Sequence, residues 1–145
     1  MNKIQTWNLL AKKAQTRAND ALSVVAAARN RVDALDKSVC RLNDLHLEYV
    51  DRLQTVEEQS HSMRENMNCR SYIAHLGDLK QKLVQTQAKV QEELLRAHCQ
   101  HQELELVRVK FERLAESAGK AEFRKKALLE QVQMERLAIA RFNLG

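Results

Sequence analysis

"RENMNCRSYI", residues 64–73, lies near the middle of a chain of 145 residues that has no proline and three glycines. The sequence on either side reads as helix, so these ten residues decide whether one helix runs straight through or two fold back on each other. The frequent residues are Ala, Leu, Gln, Glu, Lys and Arg, which are strong helix formers, and the punctuation that loops need is almost missing. With 4% aromatic and 30% charged residues, this is the composition of long helices rather than of a compact globule.

The apolar residues show where the helices lie. Steps of three and four from the start pick out Ile4, Trp7, Ala11, Ala14, Ala18, Ala21, Val25, Ala28, Val32, Leu35, Val39, Leu42, His46, Tyr49, Leu53 and Val56, of which only His46 is polar. That is the seam of a coiled coil. The same count fails beyond the middle, and a second frame takes over at Cys69, Tyr72, Leu76, Leu79, Leu83, Thr86, Val90, Glu93, Ala97 and Gln100. It continues through Leu104, Val107, Phe111, Leu114, Ala118, Ala121, Lys125, Leu128, Val132, Glu135 and Ile139 to Phe142, with five polar members in all.

The two frames are offset by two residues, whereas a continuous coiled coil absorbs insertions of three or four. The offset therefore marks a break. It falls where "QSHSMRENMNCRS" (59–71) gathers serine and asparagine, residues that favour caps and turns. Asn66 or Asn68 can take a left-handed turn, and Asn68 or Ser71 can cap a second helix. The expected fold is all-α, a single antiparallel two-helix coiled-coil hairpin over 1–145. Its first helix spans about 3–60, its turn about 61–70 and its second helix about 71–142. A turn near residue 66 would set Ala21 near Phe111 and Ala18 near Leu114.

Function classes narrow accordingly. A two-helix arrangement offers no room for a pocket of the ~300 Å³ that small molecules need. No glycine-rich phosphate loop, nucleophile elbow or paired-carboxylate constellation is visible, so the sequence points away from an enzyme and implies no cofactor. His98 and His101 are one helical turn apart around Cys99, but no HExxH-like carboxylate accompanies them; His46, His61 and His75 stand elsewhere, and no metal site is expected. Cys40, Cys69 and Cys99 have neither metal nor redox spacing, and an odd number suits free thiols in a reducing compartment. No apolar run reaches the ~18 residues of a membrane span, and no signal-like segment opens the chain, which suggests a cytoplasmic protein.

The net charge of +5 raises nucleic acid as a partner, but "KKAQTR" (12–17) is too sparse for a basic-region zipper. The distribution says more than the total. Residues 1–35 carry six basic and two acidic side chains and residues 110–145 carry eight and five, against ten and twelve in 36–109. A hairpin therefore has a positive terminal end, with Lys12, Lys13, Arg17, Arg124, Lys125 and Lys126 prominent. Toward the turn the apolar stripe is wider than one seam requires, with Leu42, Leu45, His46, Tyr49, Val50 and Leu53 on the first arm and Tyr72, Ile73, Leu76, Leu79 and Leu83 on the second. Such a stripe marks a partner site or a self-association contact.

"LNDLHLEYVDRL" (42–53), followed across the polar stretch by "RSYIAHLGDLKQKL" (70–83), resembles the FliJ family of the bacterial flagellar type III export apparatus. The shared pattern is a leucine segment ending in Glu48–Tyr49, then an aromatic–isoleucine segment at Tyr72–Ile73. The resemblance implies a non-enzymatic antiparallel coiled coil, similar to the stalk of rotary ATPases, that inserts into the export ATPase hexamer. It also implies contact with the membrane-embedded export gate, binding of export chaperones, and a cytoplasmic location at the inner membrane face. Carried over to this chain, the gate-contacting patch would comprise Leu42, Leu45, Tyr49, Tyr72, Leu76, Leu79 and Leu83, and the ring-docking end would carry the six basic residues named above. The injectisome stalk is the close alternative, and a self-associating structural coiled coil the more distant one.

Overall fold

The computed structural model describes residues 2–59 and 62–144, which form two helices, α1 (Lys3–Glu58) and α2 (Met63–Leu144), packed against each other as an all-α hairpin. Both begin with side-chain caps, reciprocal at α1. The Asn2 side chain accepts from the Ile4 amide at 3.4 Å while the Asn2 amide donates to the Gln5 side chain at 3.5 Å. At α2, Ser62 Oγ accepts from the Glu65 amide at 3.3 Å, the capping geometry expected of a Ser-x-x-Glu sequence.

This cap corrects the expected turn. The second helix starts at Met63 rather than near 71, and Asn66, Asn68 and Ser71 all lie inside it. Their turn propensity is overridden because "SMRE" (62–65) satisfies the first backbone donors, after which each further residue adds a hydrogen bond. Asn66 instead accepts from the Arg70 side chain at 2.7 Å. The first helix ends at Glu58, with the Gln59 amide still donating to the Thr55 carbonyl at 3.0 Å. Ser60 and His61, which the expected boundaries placed at the end of the first helix and the start of the turn, lie outside the described residues.

An earlier turn changes every cross-helix pair. Phe111 packs against Trp7, ring centroids 6.1 Å apart, and not near Ala21 as a turn at 66 required. Tyr72 packs on Tyr49 at 4.3 Å, and Arg70 pairs with Glu57 at 2.6 Å. Moving the reversal by about five residues moves each partner by about ten, nearly three helical turns.

The seam of α1 runs as expected: all sixteen residues are buried or half-buried. In α2 one of the two expected columns is covered as far as Ala118, and the other is exposed from Tyr72 to Val107 and half-buried again at Leu114. Leu76, Leu83, Val90, Ala97, Leu104, Phe111 and Ala118 are buried or half-buried, but Tyr72, Leu79, Thr86, Glu93, Gln100 and Val107 are exposed. The residue after each of these takes its place for Ile73, Gln87, Leu94, His101 and Arg108, all half-buried. A one-residue change of column is a rotation of about 100°, which carries Thr86, Glu93 and Gln100 out to water. Three of the five polar members of the second frame are thereby explained.

The hairpin comprises two compact units, Met1–Ala21 with His101–Gly145, and Leu22–Gln100. In the first, Ala14, Ala18 and Ala21 are buried, at 5%, 0% and 8% exposure. In the second, Val25, Ala28, Leu76, Val90 and Ala97 form the buried core. Arg31 pairs with Glu93 at 3.7 Å, and Gln87 donates to Asp36.

Candidate docking surfaces

In the first unit all six basic residues singled out in the sequence are exposed, but they do not form one cluster. Asn2 donates to Glu122 at 3.3 Å and so fixes where α1 begins on α2. Lys12 is ten residues along α1 from that point, about 15 Å away, whereas Arg124, Lys125 and Lys126 lie on its other side along α2. Lys125 instead shares a shallow recess with Asn2, Lys3, Ile4 and Glu122. Lys3, which the sequence reading passed over because it stands apart from the 12–17 run, is therefore the α1 cation nearest to Lys125.

Beyond Glu122, every described residue of α2 is exposed as far as Leu144. This segment contains five basic and two acidic residues, and it leaves Phe123, Leu128, Met134, Leu137, Ile139 and Phe142 largely in water. Scattered exposed apolar residues are ordinary, but a run of six within about six turns of one helix is not. The expected frame found Leu128, Ile139 and Phe142. It missed Phe123, Met134 and Leu137, which lie on another face, although their mutual spacing of three and eleven residues is helical and was legible.

Along the same unit Arg108 joins two carboxylates. It donates to Glu105 at 2.7 Å and to Glu112 at 2.7 Å. The hydrogen bond from Arg108 holds the Glu105 carboxyl below the usual carboxylate range against the opposing pull of desolvation, and the hydrogen bonds to Glu105 and then Glu112 raise the Arg108 guanidinium further above its ordinary value. His101 Nε2 is 3.8 Å from the other oxygen of Glu105. Arg108 can thus reach a half-buried seam position because its head is fully engaged while its stem covers apolar surface.

In the second unit the apolar residues near the turn divide by face. Leu76 is 2% exposed and belongs to the core, Leu42, Leu45, Tyr49 and Leu83 are half-buried, and Tyr72 and Leu79 are exposed. The guanidinium of Arg52 sits 5.0 Å from the centre of the Tyr49 ring. Exposed apolar surface here is completed by Leu47, Val50, Met63 and Met67. Among these, Leu47 and the two methionines lie outside both expected seams, which is why counting along the seam did not find them.

Among the described residues no group of three or more His, Cys, Asp or Glu side chains could hold a metal ion. Cys40 and Cys99 are exposed free thiols and Cys69 is a half-buried one. Among the described residues no helix is long and apolar enough to cross a membrane. In comparisons with known proteins, no family model, no curated sequence and no solved structure matches this chain.

Proposed function

We propose that this chain is the non-enzymatic stalk of a bacterial flagellar type III export apparatus, coupling the export ATPase hexamer to the membrane-embedded export gate and binding export chaperones. The observation that carries the reading is the exposed, cationic and apolar segment of α2 from Phe123 to Leu144. A helix presenting both kinds of group without a partner is suited to an acidic cleft with apolar walls, which a hexamer's central opening would supply. Lys12, Lys13, Arg17, Arg124, Lys125 and Lys126 steer and orient that encounter. The gate contact belongs to the turn-proximal surface, with Tyr72 and Leu79 accessible and Leu42, Leu45, Tyr49, Leu76 and Leu83 supporting them from the seam. Such a protein acts from the cytoplasmic face of the inner membrane and needs no cofactor.

The test is co-purification and light scattering with the export ATPase of the same genome, alongside the quadruple variant K12E/R17E/R124E/K126E. Promotion of hexamer formation or ATP turnover by the native chain and its loss in the variant support the reading. An ATPase indifferent to both proteins would remove its main support.

A further inference from the structure

A second copy of this chain fits the exposed end of α2. Steps of three and four select Ala127, Glu130, Met134, Leu137, Arg141 and Leu144, all exposed, on a face roughly a third of a turn away from the one α1 covers upstream. Reversed, the spacing of this seam is unchanged, so an antiparallel copy can match it layer by layer. The layers are then Ala127 with Leu144, Glu130 with Arg141, and Met134 with Leu137, each occurring twice about the two-fold axis. We infer that two chains pair antiparallel through residues 127–144 of α2, with two Glu130–Arg141 ion pairs setting the register.

Charge selects this arrangement over its competitors. A parallel pairing would set Glu130 against Glu130 and Arg141 against Arg141, each a like-charge contact on the seam. The other apolar stripe of the segment, containing Leu128, Val132 and Ile139, matches poorly when reversed, because Val132 meets Glu135 and Lys125 meets Phe142. Of the residues flanking this seam, Lys126, Gln131, Gln133, Ala138 and Ala140, only Lys126 is charged, so the flanks oppose no like charges. Among the described residues neither Glu130 nor Arg141 is engaged in an ion pair within its own chain, so both remain available. The paired stretch also stops short of Glu122, where Asn2 and α1 begin to cover α2, so neither hairpin obstructs the other.

The contact spans about 27 Å of helix, at the small end of specific interfaces, so dissociation in the micromolar range is expected. It uses the same end that docking to a ring would use, and is therefore the state of the free chain. The inference does not depend on the export reading, since its test contains no ATPase.

The experiment is sedimentation equilibrium of the full chain under reducing conditions at low salt, with E130R and R141E. The native chain should form a dimer. Each single variant places like charges in both ion-pair layers and should dimerise at least ~10-fold more weakly. Mixing the two variants restores complementarity in both layers, so a heterodimer should form, and the double variant E130R/R141E should self-associate again. Helical circular dichroism identical to native confirms that the exposed changes leave the hairpin intact. A native chain that is monomeric to ~100 µM, single variants that dimerise as well as native, or a mixture that fails to pair would each overturn the proposal.

Discussion

Two parts of α2 have nearly the same chemistry and opposite fates. Leu76 is 2% exposed, and from Leu83 to Ala118 buried or half-buried residues recur every three or four positions; from Phe123 to Leu144 no residue is either. Both parts are helical and both contain leucine, alanine, glutamate and basic residues. Propensity therefore makes the helix in either place, and the presence of α1 decides what is buried. A helix of this kind draws most of its stability from packing, so the two parts should answer the same substitution very differently.

The sharpest comparison is Leu76→Ala against Leu137→Ala. Leu76 has its whole side chain in the core, and truncating it loses transfer energy and leaves a cavity, together about 2–5 kcal/mol. Leu137 is 62% exposed, and its truncation in a dilute monomer should stay within about 0.5 kcal/mol. Chemical denaturation of both variants at low protein concentration measures the gap. Equal losses would mean that the end of α2 is covered in solution by something besides α1.

The converse change probes the alanine-lined part of α1. Ala18 is fully buried, so Ala18→Leu must push the helices apart or force an unfavourable rotamer, at about 1–3 kcal/mol. Ala127→Leu, on the bare part of α2, meets no neighbour and should be neutral in the monomer. A stable Ala18→Leu protein would show that the close approach of the helices is not tightly packed.

How much of this was legible depends on which signal carried it. The α1 seam could be read because nearly every member is apolar, and all sixteen residues are covered. The α2 seam could be read in one column only. The other contains Gln87, His101 and Arg108, whose long side chains lie half-buried with polar heads engaged, so an apolar count rejects them in favour of their neighbours. The turn was placed too late because serine and asparagine were counted by propensity along 59–71, while one specific pair, Ser62 with Glu65, starts the helix. That error alone displaced the expected pairing of Ala21 with Phe111. Of the docking residues, exposure of the basic side chains was legible; their separation was not, because it depends on the register set by the turn.

Ser62 is therefore the next residue to change. Ser62→Ala removes the acceptor for the Glu65 amide and should cost about 1 kcal/mol, read as a lower denaturation midpoint with an unchanged slope. Asn68→Ala and Ser71→Ala, the caps that propensity alone would favour, lie within α2 and should be neutral or slightly stabilising. Destabilisation by either of these in place of Ser62→Ala would move the start of α2 back toward 71.

The smallest effect expected is electrostatic and separates the two parts of α2 by pH. Arg108 holds Glu105 below the usual carboxylate range, so the folded chain prefers the charged carboxylate more than the unfolded chain does. The resulting stabilisation is fully present above the ordinary carboxylate pKa of about 4.3 and is lost as pH falls through the lowered folded value. Arg108 stays charged throughout, and Glu112, its second partner, shares the guanidinium. His101 approaches Glu105 from the previous turn, at 3.8 Å. Glu105→Gln should therefore be slightly less stable than native at neutral pH, and the difference should shrink as both are titrated into acid. Glu130→Gln, at an exposed position with no partner on α1, should show no such convergence in a monomer. A pH-dependent difference at Glu130 that appears only as protein concentration rises would locate its charge partner on a second chain.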